Sequence, residues 1–193
     1  IGYETVGPTR SDVSFENINV IHAFHKPVMS IHNGNYAEIY DIRYRDITID
    51  KAFLGSGDAG SDSYVIELGS AYSPVWSNAP AGGQTEVGSI HDIAFANILL
   101  RQRGNATSPT INLFGYLDTR EAYQGRISEL SRVSFNGVDF LGTALSADYP
   151  GLTVGPYVAD LSFAESEATG AKVIRTWTKE YLDSLSEQID FVP

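Results

Sequence analysis

One eight-residue template constrains this chain more than any other feature. Val13-Ser-Phe15-Glu-Asn17-Ile18-Asn-Val20, Ile42-Arg-Tyr44-Arg-Asp46-Ile47-Thr-Ile49, Ile93-Ala-Phe95-Ala-Asn97-Ile98-Leu-Leu100 and Val133-Ser-Phe135-Asn-Gly137-Val138-Asp-Phe140 all follow it, starting 29, 51 and 40 residues apart. Periods of this size belong to repeat architectures in which each unit covers the next. A fifth copy, Leu161-Ser-Phe163-Ala-Glu165, keeps only the first half. Aliphatic and aromatic positions two apart read as a strand with one buried face, and the step of three that follows breaks the alternation. A corner belongs there. Its residue is Asn17, Asp46, Asn97 or Gly137, the types that best tolerate positive φ, whereas Glu165 does not fit. Ile39, Ile90, Leu130 and Val158 stand three residues ahead of their copies and add one more inward position.

Between the copies, Met29-Ser30-Ile31, Ile66-Glu67-Leu68 and Ile111-Asn112-Leu113 read aliphatic, polar, aliphatic. No helix-period run interrupts residues 11–145, which leaves a β-sandwich or a parallel β-helix. The same corner residue type in every unit favours the second. The expected fold is therefore all-β, a right-handed parallel β-helix with its coils in residues 1–170. Trp177, Tyr181, Leu185 and Ile189 recur every four residues, so a C-terminal capping helix is expected within the tail 171–193.

The charge balance narrows the partners. Thirteen Lys and Arg against 24 Asp and Glu give a net charge of −11, which repels nucleic acid. There is no cysteine, so no disulfide, thiolate metal site or cysteine nucleophile. No run approaches the ~18 apolar residues of a membrane span, and no membrane insertion is expected. Gly55-Ser-Gly57-Asp58-Ala-Gly60 spells G-x-G-x-x-G, but a strand pattern follows it where a dinucleotide site needs a helix. Asp58 and Asp62 are too few to hold Ca²⁺. No cofactor and no metal site is expected.

The run Asn17-Ile-Asn-Val-Ile-His22-Ala-Phe-His25-Lys26-Pro27-Val-Met-Ser30-Ile-His32-Asn33-Gly34, followed by Ala37-Glu-Ile-Tyr-Asp-Ile, resembles bacterial β-helix proteins grouped with polygalacturonase-type (family 28) and dextranase-type (family 49) glycoside hydrolases. The resemblance covers about residues 11–145. It implies a pectin- or glucan-like polysaccharide bound along one face of the coils, O-glycosyl hydrolysis, and a secreted or periplasmic protein. The Asn-Thr-Asp, Asp-Asp, Gly-His-Gly and Arg-Ile-Lys motifs of polygalacturonases are absent. In both families the catalytic aspartates lie on earlier coils, so the resemblance implies the C-terminal coils of a longer β-helix with the main acids upstream of residue 1. The alternative is a non-catalytic β-helix that binds glycans as an adhesin or structural module.

By period two, Ser30, Glu67 and Asn112 point outward, and coils stacked about 4.8 Å apart turn them into one ladder. Glu67 is its only carboxylate, and glycosidases use two. His32 and Asn33 end a strand beside Gly34, where sites tend to sit. His22 and His25 share the segment, with Pro27 opposing the helix that a His pair would need to hold a metal. Glu67 and His32 are the catalytic candidates. Ser30, Asn33, Asn112, His25, Tyr72, Trp76 and Tyr116 are the substrate-binding ones, the last three on inserts that rise beside the same face with rings suited to sugars. Asp12, Asp41, Asp92 and Asp160, with Arg132 in the fourth copy, form a second column. A residue type repeated in every copy serves the coil, for example by accepting N–H bonds at a turn.

Overall fold

The computed structural model describes residues 1–2, 5, 7–24, 27–53, 64–72, 86–102, 110–164 and 172–173, without side chains at 24, 53, 172 and 173. The Gly55–Gly60 loop and the helical stripe of Trp177, Tyr181, Leu185 and Ile189 lie outside the described residues. In chain order the strands are β1 (Thr9–Val20), β2 (Ala23–Phe24), β3 (Met29–Asn33), β4 (Glu38–Ile49), β5 (Ala52–Phe53), β6 (Ile66–Ser70), β7 (Ile90–Leu100), β8 (Ile111–Phe114), β9 (Tyr116–Asp118), β10 (Arg126–Ser128), β11 (Leu130–Phe140), β12 (Thr143–Ala144), β13 (Leu152–Val154), β14 (Val158–Ala164) and β15 (Lys172–Val173). Apart from one 3-10 turn at Glu121–Tyr123, the described residues contain no helix. The fold is all-β.

Strand order follows the repeat. The largest sheet runs β1-β4-β7-β11-β14-β15 with β12 on β11, a second runs β13-β8-β6-β3, and β2 pairs β5. Pairing is parallel throughout except in β9–β10, β11–β12 and β14–β15. Each copy of the template lies in register on the next, Val13 on Ile42 and Phe15 on Tyr44, then Tyr44 on Phe95 and Phe95 on Phe135. Parallel in-register pairing puts like side chains over like, so the five aromatic positions form one column. Phe15–Tyr44, Tyr44–Phe95, Phe95–Phe135 and Phe135–Phe163 are stacked with centroids 4.9, 4.9, 5.1 and 5.3 Å apart. Offset ring pairs of this kind add about 0.5–1.5 kcal/mol each beyond the area they bury. Burial also raises the Tyr44 hydroxyl pKa well above its ordinary value. One continuous core joins these rings to Ile31, Leu68 and Leu113 of the second sheet.

The corners are as the template predicts, with φ of 55° at Asn17, 54° at Asp46, 54° at Asn97 and 62° at Gly137. A second set was not foreseen. Asp12, Asp41, Asp92, Arg132 and Asp160 also sit at positive φ, between 52° and 56°. The aspartate column therefore acts through its backbone conformation rather than as the N–H acceptors offered from sequence. Each long strand bends twice, and the step of three across each bend keeps Ile39, Ile42, Tyr44, Ile47 and Ile49 all buried in β4. At the β1 end the column stays open, and Phe15, Ile18, Val20, Tyr44 and Ile47 line a pocket of about 210 Å³.

Arg132 is the unusual corner, since an ordinary side chain in the left-handed region costs about 1–2 kcal/mol. Its Nε donates to Asp92 Oδ1 at 2.7 Å and its Nη2 to Asp92 Oδ2 at 2.8 Å, tying one corner to the next. These bonds, with His91 Nδ1 2.8 Å from the same carboxylate, hold the Asp92 pKa down at about 2 against an ordinary 3.8. A depressed carboxyl pKa stabilises the fold above the unfolded value and loses that contribution as pH falls through the folded one. Both partners are more than a third exposed, so solvent screening limits the effect to about 1 kcal/mol or less. The Asp92→Asn variant keeps a residue that tolerates this φ. Thermal melts from pH 6 to pH 2 should show the wild-type advantage over it shrinking between about pH 4 and pH 2; an advantage that stays constant over that range contradicts the assignment.

Candidate functional site

The outward row of the second sheet is longer than the sequence suggested. Ser30 pairs with Glu67, Glu67 with Asn112, and Asn112 with Thr153 of β13, whose Leu152-Thr153-Val154 carries the same pattern. Within this row Glu67 is held from both neighbouring strands. His32 Nε2 lies 2.7 Å from Glu67 Oε2, and Asn112 Nδ2 donates to Glu67 Oε1 at 3.3 Å. The pair is neither buried nor loose, with His32 and Glu67 side chains 17% and 16% exposed, so a ligand can reach a carboxylate whose position is already fixed. Such an arrangement offers hydrogen-bond acceptors and donors side by side on one surface. Ser30, Asn112 and Thr153 supply no second carboxylate, and among the described residues no three His, Asp or Glu groups converge as a metal centre requires.

Asn33 does not join this face. Period two turns it inward, where it is fully buried, and its Nδ2 donates to Ala37 O and Gly88 O, both at 2.7 Å. Its Oδ1 accepts the Asn35 N–H at 3.3 Å. Gly88 O also accepts from Ser128 Oγ at 2.6 Å, so this buried knot links β3 to the chain ahead of β7 and β11. Gly88 has to be glycine, because a methyl there would fall 2.2 Å from Ala37 O. The expectation that placed Asn33 on the binding face followed its neighbourhood to a loop and ignored its parity.

The insert after β8 forms the β9–β10 hairpin. Asp118, 2% exposed, accepts from Arg120 Nε at 2.9 Å and Nη2 at 2.5 Å, which lowers the Asp118 pKa and raises that of Arg120. The Arg120 guanidinium stacks on the Tyr72 ring, 3.8 Å from its centroid, and lies 4.7 Å from that of Tyr123. One face of Tyr72 is therefore already occupied, and its role as a bare sugar platform is reduced to the other face. Tyr116, on β9, has its hydroxyl pKa raised by burial first and then by the Asp118 charge. Arg126, at the loop end of the hairpin, pairs with Glu86. His25 and Trp76 lie outside the described residues.

The outward residue that sequence reading missed is Phe114. It stands two positions after Asn112 on the same side of β8, so period two already pointed it to this face. No family model matches the chain, and no curated protein or solved structure matches it either.

Losing the Asn33 amide strands the Ala37 carbonyl in the core. An unsatisfied buried group costs about 1–3 kcal/mol, so Asn33→Ala should lower the denaturation midpoint accordingly. Asn33→Asp should cost more, because it sets a carboxylate oxygen against two carbonyl oxygens. Urea titration of both variants checks the order, and an Asp variant as stable as wild type would contradict the buried knot.

Proposed function

We propose that this chain is the right-handed parallel β-helical part of a polysaccharide-acting glycoside hydrolase, and that glycan lies along the outer face of β3, β6, β8 and β13. Recurrent passage from the β1-type sheet to the β3-type sheet and back, always with parallel pairing, is what a β-helix requires. Crossovers between parallel strands are right-handed in nearly all proteins. The resemblance of residues 11–145 to polygalacturonase- and dextranase-type enzymes agrees with this reading.

The observation that carries the glycan assignment is the row Ser30, Glu67, Asn112 and Thr153, with the Glu67 carboxylate fixed between His32 and Asn112. Adjacent sugar hydroxyls act as donor and acceptor at once, and a prearranged carboxylate, imidazole and amide match them in charge-assisted bonds without paying further ordering cost. In hydrolysis Glu67 is one member of the acid–base pair, with His32 holding its orientation. A second carboxylate would stand about 5–5.5 Å away in a retaining enzyme or about 6.5–9.5 Å away in an inverting one. That Glu67 is alone in its row favours the second reading, a non-catalytic glycan-binding module.

Calorimetry with cello-, xylo-, malto- and isomalto-oligosaccharides and oligogalacturonides tests binding, and release of reducing ends tests hydrolysis. Glu67→Ala should weaken binding about tenfold or more, in line with the loss of hydrogen bonds to a charged group. Glu16→Ala, exposed on the other sheet, should bind as wild type. A wild-type chain that releases reducing ends, with Glu67→Gln inactive, supports Glu67 as a hydrolytic acid or base; binding without release leaves Glu67 a binding residue and removes it from the acid–base pair. The face is wrong if Glu16→Ala loses binding and Glu67→Ala retains it.

A further inference from the structure

A second outward row runs beside the first, two residues further along each strand. His32 pairs with Gly69 and Gly69 with Phe114, while Gly155, bonded to Leu113 O at 2.7 Å, flanks the far side. Two residues along a strand are about 6.6 Å, so this row lies within one small ring's width of Glu67 and Asn112.

Phe114 does not stand upright. A methyl group at Gly69 would fall 2.1 Å from Phe114 Cζ and 2.4 and 2.5 Å from Cε1 and Cε2, so the far end of the ring occupies the place of a Gly69 side chain. A methyl at Gly155 would lie 3.0 Å from Phe114 Cβ. The ring is rooted on β8 and ends over β6, with its long axis parallel to the sheet. Glycine on the neighbouring strand is what permits this. Any larger residue at 69 would push the ring away from the sheet. The half-buried ring thus lies low beside the taller Glu67, Asn112 and His32 side chains.

We propose that Phe114, laid over Gly69, is the platform on which the apolar face of a pyranose ring stacks while its hydroxyl edge turns to Glu67, Asn112 and His32. This rests on the glycan reading above and deepens it by assigning how one sugar is seated. The ligand class is a pyranoside with one face of C–H groups free. Aromatic rings offer such a face dispersion and a favourable quadrupole, and the adjacent polar row fixes the orientation. The competing role for Phe114 is to shield the exposed Gly69 backbone, as aromatic side chains do for glycines in sheets.

The test uses the full chain and the same oligosaccharide panel. Phe114→Leu keeps an apolar cover over Gly69 and removes the aromatic face. It should melt cooperatively and bind about three- to tenfold more weakly, a loss matching the value of an aromatic contact. Phe114→Trp should retain binding, and Gly69→Ala, which displaces the ring, should weaken it as the Leu variant does. Saturation-transfer NMR on the wild-type chain needs no variant, and should show strongest transfer to protons on one face of a single sugar ring. If Phe114→Leu binds as wild type while Glu67→Ala does not, or if saturation is even over both faces, the ring only shields Gly69 and the platform is overturned. If the wild-type chain binds none of the panel, the glycan reading itself falls, and this one with it.

Discussion

Nine corner residues held at left-handed φ set the phase of every side chain in the long strands. Alternation alone would send every second residue inward, and a register slip of one would turn a whole face outward. A left-handed residue resets the count. In β4 the resets at Asp41 and Asp46 let Ile39, Ile42, Tyr44, Ile47 and Ile49 all reach the core although they are not evenly spaced. Because the corners recur at the same offset from copy to copy, the long strands superpose in register, and the aromatic column follows. The corners are also bonded to one another between copies. Asn97 Nδ2 donates to Asp46 Oδ1 at 3.0 Å and Arg132 grips Asp92, so the residue that makes the bend also joins it to the next one.

Much of this was legible because a repeat multiplies a weak signal. A single Asn at a break in alternation says little, whereas Asn17, Asp46, Asn97 and Gly137 at one offset can only be a corner. The other column of corners was visible but misread, since aspartate serves equally as a hydrogen-bond acceptor and as a residue tolerant of positive φ. Arg132 was the clue: an arginine cannot accept N–H bonds, so its presence in the column pointed to backbone geometry. Leu152-Thr153-Val154 escaped notice because it is short and framed by Pro150, Gly151, Gly155 and Pro156, which read as loop.

The candidate site was legible in part and for the same reason. Parity placed Ser30, Glu67 and Asn112 outward, and neighbouring strands brought them together. Which side chains would bond was beyond the pattern, because His32 reaches Glu67 diagonally rather than across the register. Asn33 shows the opposite failure, where the prior that polar residues near loops belong to sites overrode the parity that turned it inward. Phe114 could have been found from Gly69, a glycine at an outward strand position opposite an aromatic.

The unequal spacing of the copies has an architectural meaning. Successive templates are 29, 51, 40 and 28 residues apart, yet Val13, Ile42, Ile93, Val133 and Leu161 still align without offset. The described strands keep one register whatever the number of residues between two copies, so the core does not depend on that number. Closing a longer loop costs only about 0.6 kcal/mol for each doubling of its length. The repeat and the lengths between its copies are thereby separable: residues can be added or removed between copies while the ladder, and the outward rows aligned with it, stay where they are.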